Sequence, residues 1–129
     1  MANKLVYPAT FELHGSHILV SFPDVPHAVA QGKSIEEAYE QAEEALGAAL
    51  DQMKSPPEAS SIEKLQARFP ERNIALIGIN MTLFKKKHHA KAVKKYVTIP
   101  GWLEEMARSE NINFSRTLTD ALKEKLDVQ

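Results

Sequence analysis

The chain has 129 residues but contains no cysteine, one tryptophan and only five glycines. Without cysteine it can form no disulfide, bind no metal through thiolate and use no thiol as a nucleophile. No apolar run approaches the roughly eighteen residues that cross a bilayer. The N-terminus lacks the basic start and apolar core of a signal peptide. We therefore expect a cytoplasmic protein with no membrane segment.

Charge is abundant in this chain, and it is unevenly distributed. Residues 1–84 carry six Lys or Arg and eleven Asp or Glu, a net −5, whereas residues 85–129 carry ten and six, a net +4. The two parts nearly cancel, so the formal net charge of the whole chain is only −1. An acidic front and a basic back predict two bodies with different partners.

An antiparallel hairpin is predicted at the start of the chain. Residues 5–7 are apolar, apolar and polar side chains alternate along residues 10–14 and 17–22, and Gly15-Ser16 between the two segments is a two-residue loop. Because Pro8 has no N–H to donate, we expect the first strand at a sheet edge or at a bulge. Residues 28–30 are a candidate for a short third strand.

A long amphipathic helix is the clearest helical signal in the sequence. Ser34 and Glu37 have the spacing of a capping box, in which each residue satisfies a free N–H of the other. Apolar residues then recur every three or four positions from Ile35 to Met53. We expect this helix to lie on the sheet and to end before Pro56-Pro57.

A second helix and a fourth strand complete the front of the chain. Residues 62–67 are expected to form a short helix. Residues 74–79 are almost entirely apolar, which is typical of an interior strand, so we place this strand beside the opening hairpin. The predicted fold class is α+β, with an antiparallel sheet and one main helix over residues 1–84 and a basic linker over residues 85–93.

The last part of the chain, residues 94–129, has the pattern of one strand and two short amphipathic helices. The strand covers residues 94–100, and the helices cover about residues 101–109 and 114–126. A unit of about thirty-five residues rarely buries enough apolar surface to fold alone. We expect its strand to pair with the same strand of a second chain, giving a homodimer with a two-stranded ribbon. Such a ribbon fits the major groove of double-stranded DNA.

Candidate DNA contacts lie on one face of this strand. Side chains alternate across a pleat, so Val97 and Ile99 face the core. Lys94, Tyr96 and Thr98 then face outward and can hydrogen-bond base edges or phosphates. The alternative is the solvated face of an ordinary edge strand.

A second candidate contact lies at the start of the last helix. Asn113 has the residue type and position of an N-cap, and the other N–H groups of the first helical turn form a site for an anion. Ser115 and Arg116 would then hold a backbone phosphate of the DNA. The alternative is a capped helix with a solvated arginine.

These patterns are similar to those of known families. Residues 94–126 resemble a ribbon-helix-helix module, and nearly the whole chain resembles the HicB-type antitoxins of type II toxin–antitoxin systems. The segments that carry the resemblance are Tyr7-Pro8, Phe22-Pro23-Asp24-Val25-Pro26, Gln31-Gly32, Ser34-Ile35-Glu36-Glu37-Ala38, Val97-Thr98-Ile99-Pro100, Leu103 and Phe114-Ser115-Arg116. The chain departs from the family's pattern at three positions. His27 and Ala28 stand where the family often has glycine and a small residue or cysteine, and Tyr96 stands where asparagine is frequent on the ribbon.

The resemblance implies both a fold and a function. The front of the chain would have a truncated ribonuclease-H-like fold and would bind and block HicA, a small basic toxin that cleaves mRNA. The ribbon would bind the operator of the protein's own operon, as a dimer or a tetramer. Within the front, we expect toxin contacts at the turn formed by Phe22, Pro23, Asp24, Val25 and Pro26. No catalysis and no cofactor are implied.

Two other functions are consistent with the residues. One is a ribbon-helix-helix transcriptional regulator whose front domain senses a ligand or oligomerises. The other is a metal-dependent nuclease, which needs several converging carboxylates. The predicted strands offer only Glu12 as an acid, and Asp24 sits between prolines. The pairs His14 and His17, and His88 and His89, lack further ligands at suitable spacing, so we predict no metal site.

Overall fold

The computed structural model describes residues 4–129, which divide into two compact units between His89 and Ala90. This part of the chain is mixed α+β, with four strands and five helices. In chain order the elements are β1 (Lys4–His14), β2 (His17–Ser21), β3 (Val29–Gly32), α1 (Ile35–Asp51), α2 (Ile62–Arg68), β4 (Asn73–Asn80), α3 (Met81–His88), α4 (Gly101–Ser109) and α5 (Phe114–Leu126). The first unit holds β1 to α3, and the second holds α4 and α5.

The four strands form one antiparallel sheet in the order β3-β2-β1-β4. β1 pairs with β2 over residues 10–14 and with β4 over residues 4–11, and β2 pairs with β3. Gly15, in the loop between β1 and β2, has a φ of 61°, a left-handed conformation that glycine adopts without strain. The predicted hairpin, its two-residue loop and the short third strand are therefore confirmed.

The expected positions of two strands in the sheet are wrong. β1 was expected at an edge or at a bulge because of Pro8, and it lies between β2 and β4 instead. Residues 4–9 of β1 pair with β4 alone, so this half of the strand keeps one open side, which is the setting that tolerates proline. β4 pairs with β1 of the hairpin, as predicted, but it was expected inside the sheet and lies at its edge, because an apolar run does not show how many strands flank it.

Helix α1 covers one face of the sheet and builds the core. It buries Ala38, Ala42, Leu46 and Leu50 against aromatic and aliphatic side chains of the strands. The predicted N-cap is confirmed, since Ser34 Oγ accepts a hydrogen bond of 3.1 Å from the Glu37 N–H. The reciprocal half of the capping box differs, because Glu37 Oε1 accepts from the Lys33 N–H, at 3.4 Å, instead of from Ser34. The short helix α2 is also confirmed, and it begins at the N-cap Ser61 and buries Leu65.

The structure has a helix where the sequence predicted part of a linker. α3 spans Met81–His88 and buries Met81 and Phe84, so residues 85–88 belong to the first unit rather than to a connector. The boundary therefore moves from residue 84 to residue 89. The sequence did not predict this helix, because its buried residues, Met81 and Phe84, precede a run of lysines that is typical of a linker.

The second unit contains the two predicted helices at the predicted positions, α4 and α5. Residues 92–100, which include the predicted strand 94–100, are assigned to neither helix nor strand. A strand is defined by hydrogen bonds to a neighbouring strand, so a segment that pairs only with a second chain is not assigned in one chain alone. The strand therefore stays a prediction.

Candidate functional site

The second unit exposes the apolar side chains that would normally form a core. None of residues 90–129 is buried. Nine exposed large apolar residues lie on the predicted inward side of the ribbon and on the two helices: Val97, Ile99, Trp102, Leu103, Met106, Phe114, Leu118, Leu122 and Leu126. Their helical spacing was predicted from the sequence, and their exposure shows that α4 and α5 do not bury one another's apolar faces within one chain.

The residues expected to face DNA on the ribbon are all accessible. Lys94, Tyr96 and Thr98 lie in the segment that precedes α4, and each is exposed. Tyr96 is 92% exposed, so its hydroxyl and ring are free to contact a ligand.

The start of α5 has the predicted capping geometry. Asn113 Oδ1 accepts a hydrogen bond of 2.9 Å from the Arg116 N–H, which confirms Asn113 as the N-cap. The first turn of α5 carries no acid, and Lys123 and Lys125 lie in its last turn. The N–H groups that precede Arg116 have no acceptor within a helix, so this end favours an anion. Ser115 and Arg116 lie at that end.

One further arginine of this unit is already paired. The Arg108 guanidinium donates to Glu104 through Nε at 3.0 Å and through a terminal nitrogen at 3.2 Å. These hydrogen bonds lower the pKa of the Glu104 carboxyl. Arg108 is therefore a weaker candidate for DNA than Arg116, which stands at the helix start.

The lysines between residues 85 and 95 are divided between the two units. Lys85 Nζ lies 2.6 Å from Asp51, and Lys87 Nζ lies 3.3 Å from Glu44, both on α1. His89 and His88 approach the same two carboxylates, at 2.6 and 3.2 Å. Of this run only Lys91, Lys94 and Lys95 belong to the second unit.

This division reduces the charge asymmetry that the sequence suggested. With the boundary after His89, the front carries nine Lys or Arg and eleven Asp or Glu, a net −2, and the back carries seven and six, a net +1. The hydrogen bond from Lys85, and then that from His89, lower the pKa of the Asp51 carboxyl. The basic residues of α3 thus serve to hold α3 on α1, near the negative end of the α1 dipole.

The turn expected to contact a toxin is mostly internal. Phe22 is 2% exposed and Val25 is 0% exposed, so both belong to the core. Both carboxylate oxygens of Asp24 accept hydrogen bonds from Ser60, one from the backbone N–H at 2.8 Å and one from the hydroxyl at 2.6 Å. Only Pro26 is exposed, and Pro23 is half-buried. The turn therefore ties the segment before α2 to the sheet, and it is not an open contact surface.

A groove that the sequence did not indicate lies between α1, α3 and the end of β4. Its volume is about 480 Å³. Its lining combines the carboxylates of Glu40, Glu43 and Glu44 with apolar Leu83 and neighbouring side chains, and it includes Lys87, which pairs with Glu44. No local signal in the sequence reveals that α3 forms the wall opposite these glutamates.

The described residues contain neither a metal centre nor a membrane span. Over residues 4–129, no group of three or more His, Asp or Glu side chains is placed to hold a metal ion. No helix in that range is long and apolar enough to cross a membrane. His14 lies 3.8 Å from Glu12, which also pairs with Arg72 at 3.3 Å, so the hairpin residues form ion pairs at the surface.

Three solved structures are similar to this chain over most of their length. The toxin–antitoxin complex from Streptococcus pneumoniae matches with 26% identity and a TM-score of 0.56, over 95% of this chain and 99% of that one. The Burkholderia pseudomallei antitoxin HicB matches with 21% identity and a TM-score of 0.53, over 95% and 97%. The N-terminal domain of that antitoxin matches with 22% identity and a TM-score of 0.52, over 57% and 95%. The two lower identities establish the likeness in fold alone.

A comparison with curated proteins gives no significant match. The family model described as the HicB-like antitoxin of bacterial toxin–antitoxin systems, by contrast, matches residues 7–121. This match extends from β1 in the first unit to α5 in the second, and so covers both units and the segment between them. The chain therefore belongs to the family of HicB-like antitoxins of bacterial toxin–antitoxin systems.

Proposed function

We propose that this protein binds and neutralises a HicA-type mRNA-cleaving toxin in the cytoplasm and represses its own operon by binding operator DNA. It acts without catalysis and without a cofactor. The first unit, a truncated ribonuclease-H-like domain, binds the toxin, and the second unit, a ribbon-helix-helix module, dimerises and binds DNA. One observation carries the proposal for the second unit: it has two amphipathic helices and no buried residue.

Dimerisation is the step that gives the second unit a core. Fully burying one large aliphatic or aromatic side chain contributes about 1.5–3 kcal/mol, and the unit exposes nine of them near the predicted ribbon and on its helices. Pairing residues 94–100 of two chains brings two sets of these side chains together. The paired segments then satisfy each other's backbone N–H and C=O groups, which a single strand cannot do.

DNA binding follows from the surface that this dimer leaves outside. With Val97 and Ile99 turned into the shared core, Lys94, Tyr96 and Thr98 form the outer face of the ribbon. An antiparallel ribbon enters the major groove, where these side chains reach base edges. The capped start of α5, with Ser115 and Arg116, binds the backbone phosphates on either side and fixes the position of the ribbon.

Toxin binding is placed on the acidic groove of the first unit rather than on the Phe22–Pro26 turn. α1 carries six Asp or Glu and no Lys or Arg. Three of these carboxylates line the groove; Glu44 is paired with Lys87 of the same lining, which leaves Glu40 and Glu43 for a partner. Leu83 beside them is 61% exposed. Acidic side chains around an apolar centre suit a cationic protein surface and would speed its association.

Purification of the chain from its native cells tests the toxin proposal. A protein below about ten kilodaltons should co-purify with it, since that is the size we expect for the toxin. Expression of that partner alone should stop growth, and co-expression of this chain should restore it. A transcriptional regulator with a ligand-sensing front domain would instead purify without such a partner.

A further inference from the structure

The acidic groove between α1, α3 and the end of β4 is lined by one cation from the chain itself. Its charged lining consists of Glu40, Glu43 and Glu44 from α1 and of Lys87 from α3. Lys87 Nζ lies 3.3 Å from Glu44 Oε1, and the other oxygen of this carboxylate lies 3.2 Å from His88 Nε2. Glu40 and Glu43 form no ion pair within residues 4–129. The groove therefore holds its own cation on one of its three carboxylates.

The pair of Lys87 and Glu44 differs from the other lysine contact between α3 and α1. Lys85 Nζ lies only 2.6 Å from Asp51, whose side chain is 9% exposed. The side chains of Lys87 and Glu44, in contrast, are 72% and 46% exposed. Exposed ion pairs typically change an equilibrium by no more than about fivefold. Because α3 is anchored by its buried residues and by Lys85, the pair of Lys87 and Glu44 can open without releasing α3.

The acidic residues of the groove are short of positive charge. Glu43 and Glu44 follow Glu40 by three and four positions, so Glu40 is a neighbour of both on the surface of α1. Like charges at these spacings repel one another, and Lys87 offsets only one of the three. A cationic partner thus finds two open carboxylates, and it gains a third if Lys87 moves away.

We propose that Lys87 is a built-in competitor for Glu44: it occupies the groove in the free protein, and a guanidinium group of the bound toxin displaces it. This inference rests on the proposed binding of the toxin at the groove. It adds a third carboxylate to the contact with the toxin, and it makes Lys87 a residue that limits the strength of that contact.

An arginine of the partner is better suited to Glu44 than Lys87 is. A guanidinium is planar and donates to both oxygens of a carboxylate, whereas an ammonium acts as a point charge. Docking also removes water from the groove, which strengthens an ion pair formed there. The Lys87 ammonium is carried on a flexible four-carbon stem and is already largely exposed, so it gives way easily. The exchange replaces a weak, exposed ion pair by a stronger, enclosed one.

Repulsion is the reason why Lys87 leaves an occupied groove. A partner that binds Glu40 and Glu43 brings its cations close to the Lys87 ammonium, and like charges placed together in an interface weaken binding. Movement of this ammonium into solvent removes the repulsion. A partner surface without a cation at this position would leave Lys87 on Glu44 and would gain no third carboxylate. Lys87 therefore favours a cationic toxin surface over a neutral one.

Surface plasmon resonance of the full-length chain with the small toxin that co-purifies with it tests the competition. Lys87→Met keeps the length of the side chain and removes its charge, so it should bind the toxin about three- to tenfold more tightly than the wild type. Lys54→Met is the matched control, because Lys54 is exposed on the first unit outside the groove and carries the same charge. Its affinity should change by less than about twofold, since solvent and salt screen distant charges. Equal affinities of Lys87→Met and the wild type would overturn the proposal.

A double-mutant cycle with Glu44→Gln distinguishes displacement from simple repulsion. If the toxin takes over Glu44, the wild type must first give up the pair of Lys87 and Glu44, and the Lys87→Met protein has no such pair to lose. Glu44→Gln should therefore weaken toxin binding about two- to fivefold more in the Lys87→Met protein than in the wild type. An equal effect of Glu44→Gln in both proteins would show that Lys87 is not displaced.

Reversal of charge at Glu40 and Glu43 shows which of the two proposals has failed. If Glu40→Lys with Glu43→Lys weakens toxin binding and Lys87→Met leaves it unchanged, the toxin binds at the groove and the competition by Lys87 is wrong. If neither change alters the affinity, the toxin does not bind at the groove, and the proposed binding site is wrong together with this inference.

Discussion

The ring of Phe84 on α3 lies directly over Gly47 on α1, at a place where any side chain on residue 47 would overlap the ring. Glycine normally weakens a helix interior by about 1 kcal/mol relative to alanine. Here it provides the recess into which α3 docks. The contact makes residues 81–88 part of the first unit. Lys85, Lys86 and Lys87 therefore belong to that unit and not to the segment before α4.

Removal of the Phe84 ring should destabilise the first unit strongly. Phe84 is buried, so Phe84→Ala should lower the free energy of unfolding by about 3–5 kcal/mol, because it leaves a cavity over Gly47. Leu83→Ala, at the next position but 61% exposed, should cost less than about 0.5 kcal/mol. Urea denaturation followed by circular dichroism measures both. Equal effects of the two changes would show that α3 is not docked as described.

The ion pairs of Asp51 should make the docking of α3 depend on acid. Hydrogen bonds from Lys85 and His89 lower the pKa of Asp51 below its ordinary value of 3.8. Its contribution to stability is therefore complete above that value and is lost as the pH falls through the lowered pKa. Asp51→Asn should be less stable than the wild type at pH 7, and the difference should disappear at a pH below the lowered pKa of Asp51.

Glu43→Gln provides the control for this pH dependence. Glu43 lies on the same helix and forms no ion pair within residues 4–129. Its replacement should therefore leave stability nearly unchanged both at pH 7 and at the acid pH. Denaturation curves of the three proteins at the two pH values make the comparison. A difference between wild type and Asp51→Asn that persists at low pH would contradict the ion-pair account.

Limited trypsin digestion should locate the boundary between the units. Lys85, Lys86 and Lys87 lie within α3, whereas Lys91 follows it and is exposed. Proteases cut exposed, irregular segments first. The earliest fragments should therefore end at Lys91, as mass spectrometry would detect. First cuts at residues 85–87 would support the linker that the sequence suggested.

Reversal of charge in the groove should weaken toxin binding. Replacing both Glu40 and Glu43 by Lys places two cations where a cationic partner is proposed to dock, so affinity should fall at least about tenfold, chiefly through slower association at low salt. Glu36→Lys, on the same helix but outside the groove, should have a much smaller effect. Surface plasmon resonance with the co-purified toxin measures both. Equal toxin affinities of the double variant and Glu36→Lys would show that the groove is not the toxin-binding surface.

Local signals in the sequence predicted much of this fold. Ser34 and Asn113 are N-caps because their side chains reach a backbone N–H three residues on, and the helices they begin followed from apolar spacing. The two-residue loop at Gly15 likewise depends on neighbouring residues only. Such features need no knowledge of the rest of the chain, and all were confirmed.

The errors concern residues that are far apart in the sequence. The edge position of β4 depends on which strands flank β1, and the docking of Phe84 depends on Gly47, thirty-seven positions earlier. The turn at Asp24 is internal because Ser60 hydrogen-bonds both of its carboxylate oxygens. None of these pairings leaves a periodic pattern, so the acidic groove and the true unit boundary could not be found from the sequence.

A gel shift on operator DNA decides whether the second unit binds DNA through the ribbon. A gel shift with DNA from upstream of the chain's own gene compares the wild type with the double variant Lys94→Ala, Thr98→Ala and with Lys87→Ala. We expect the double variant to lose DNA binding while dimerisation and toxin neutralisation persist. Lys87→Ala should bind DNA normally, because Lys87 pairs with Glu44. DNA affinity that is unchanged in the double variant would contradict the ribbon as the DNA-binding surface.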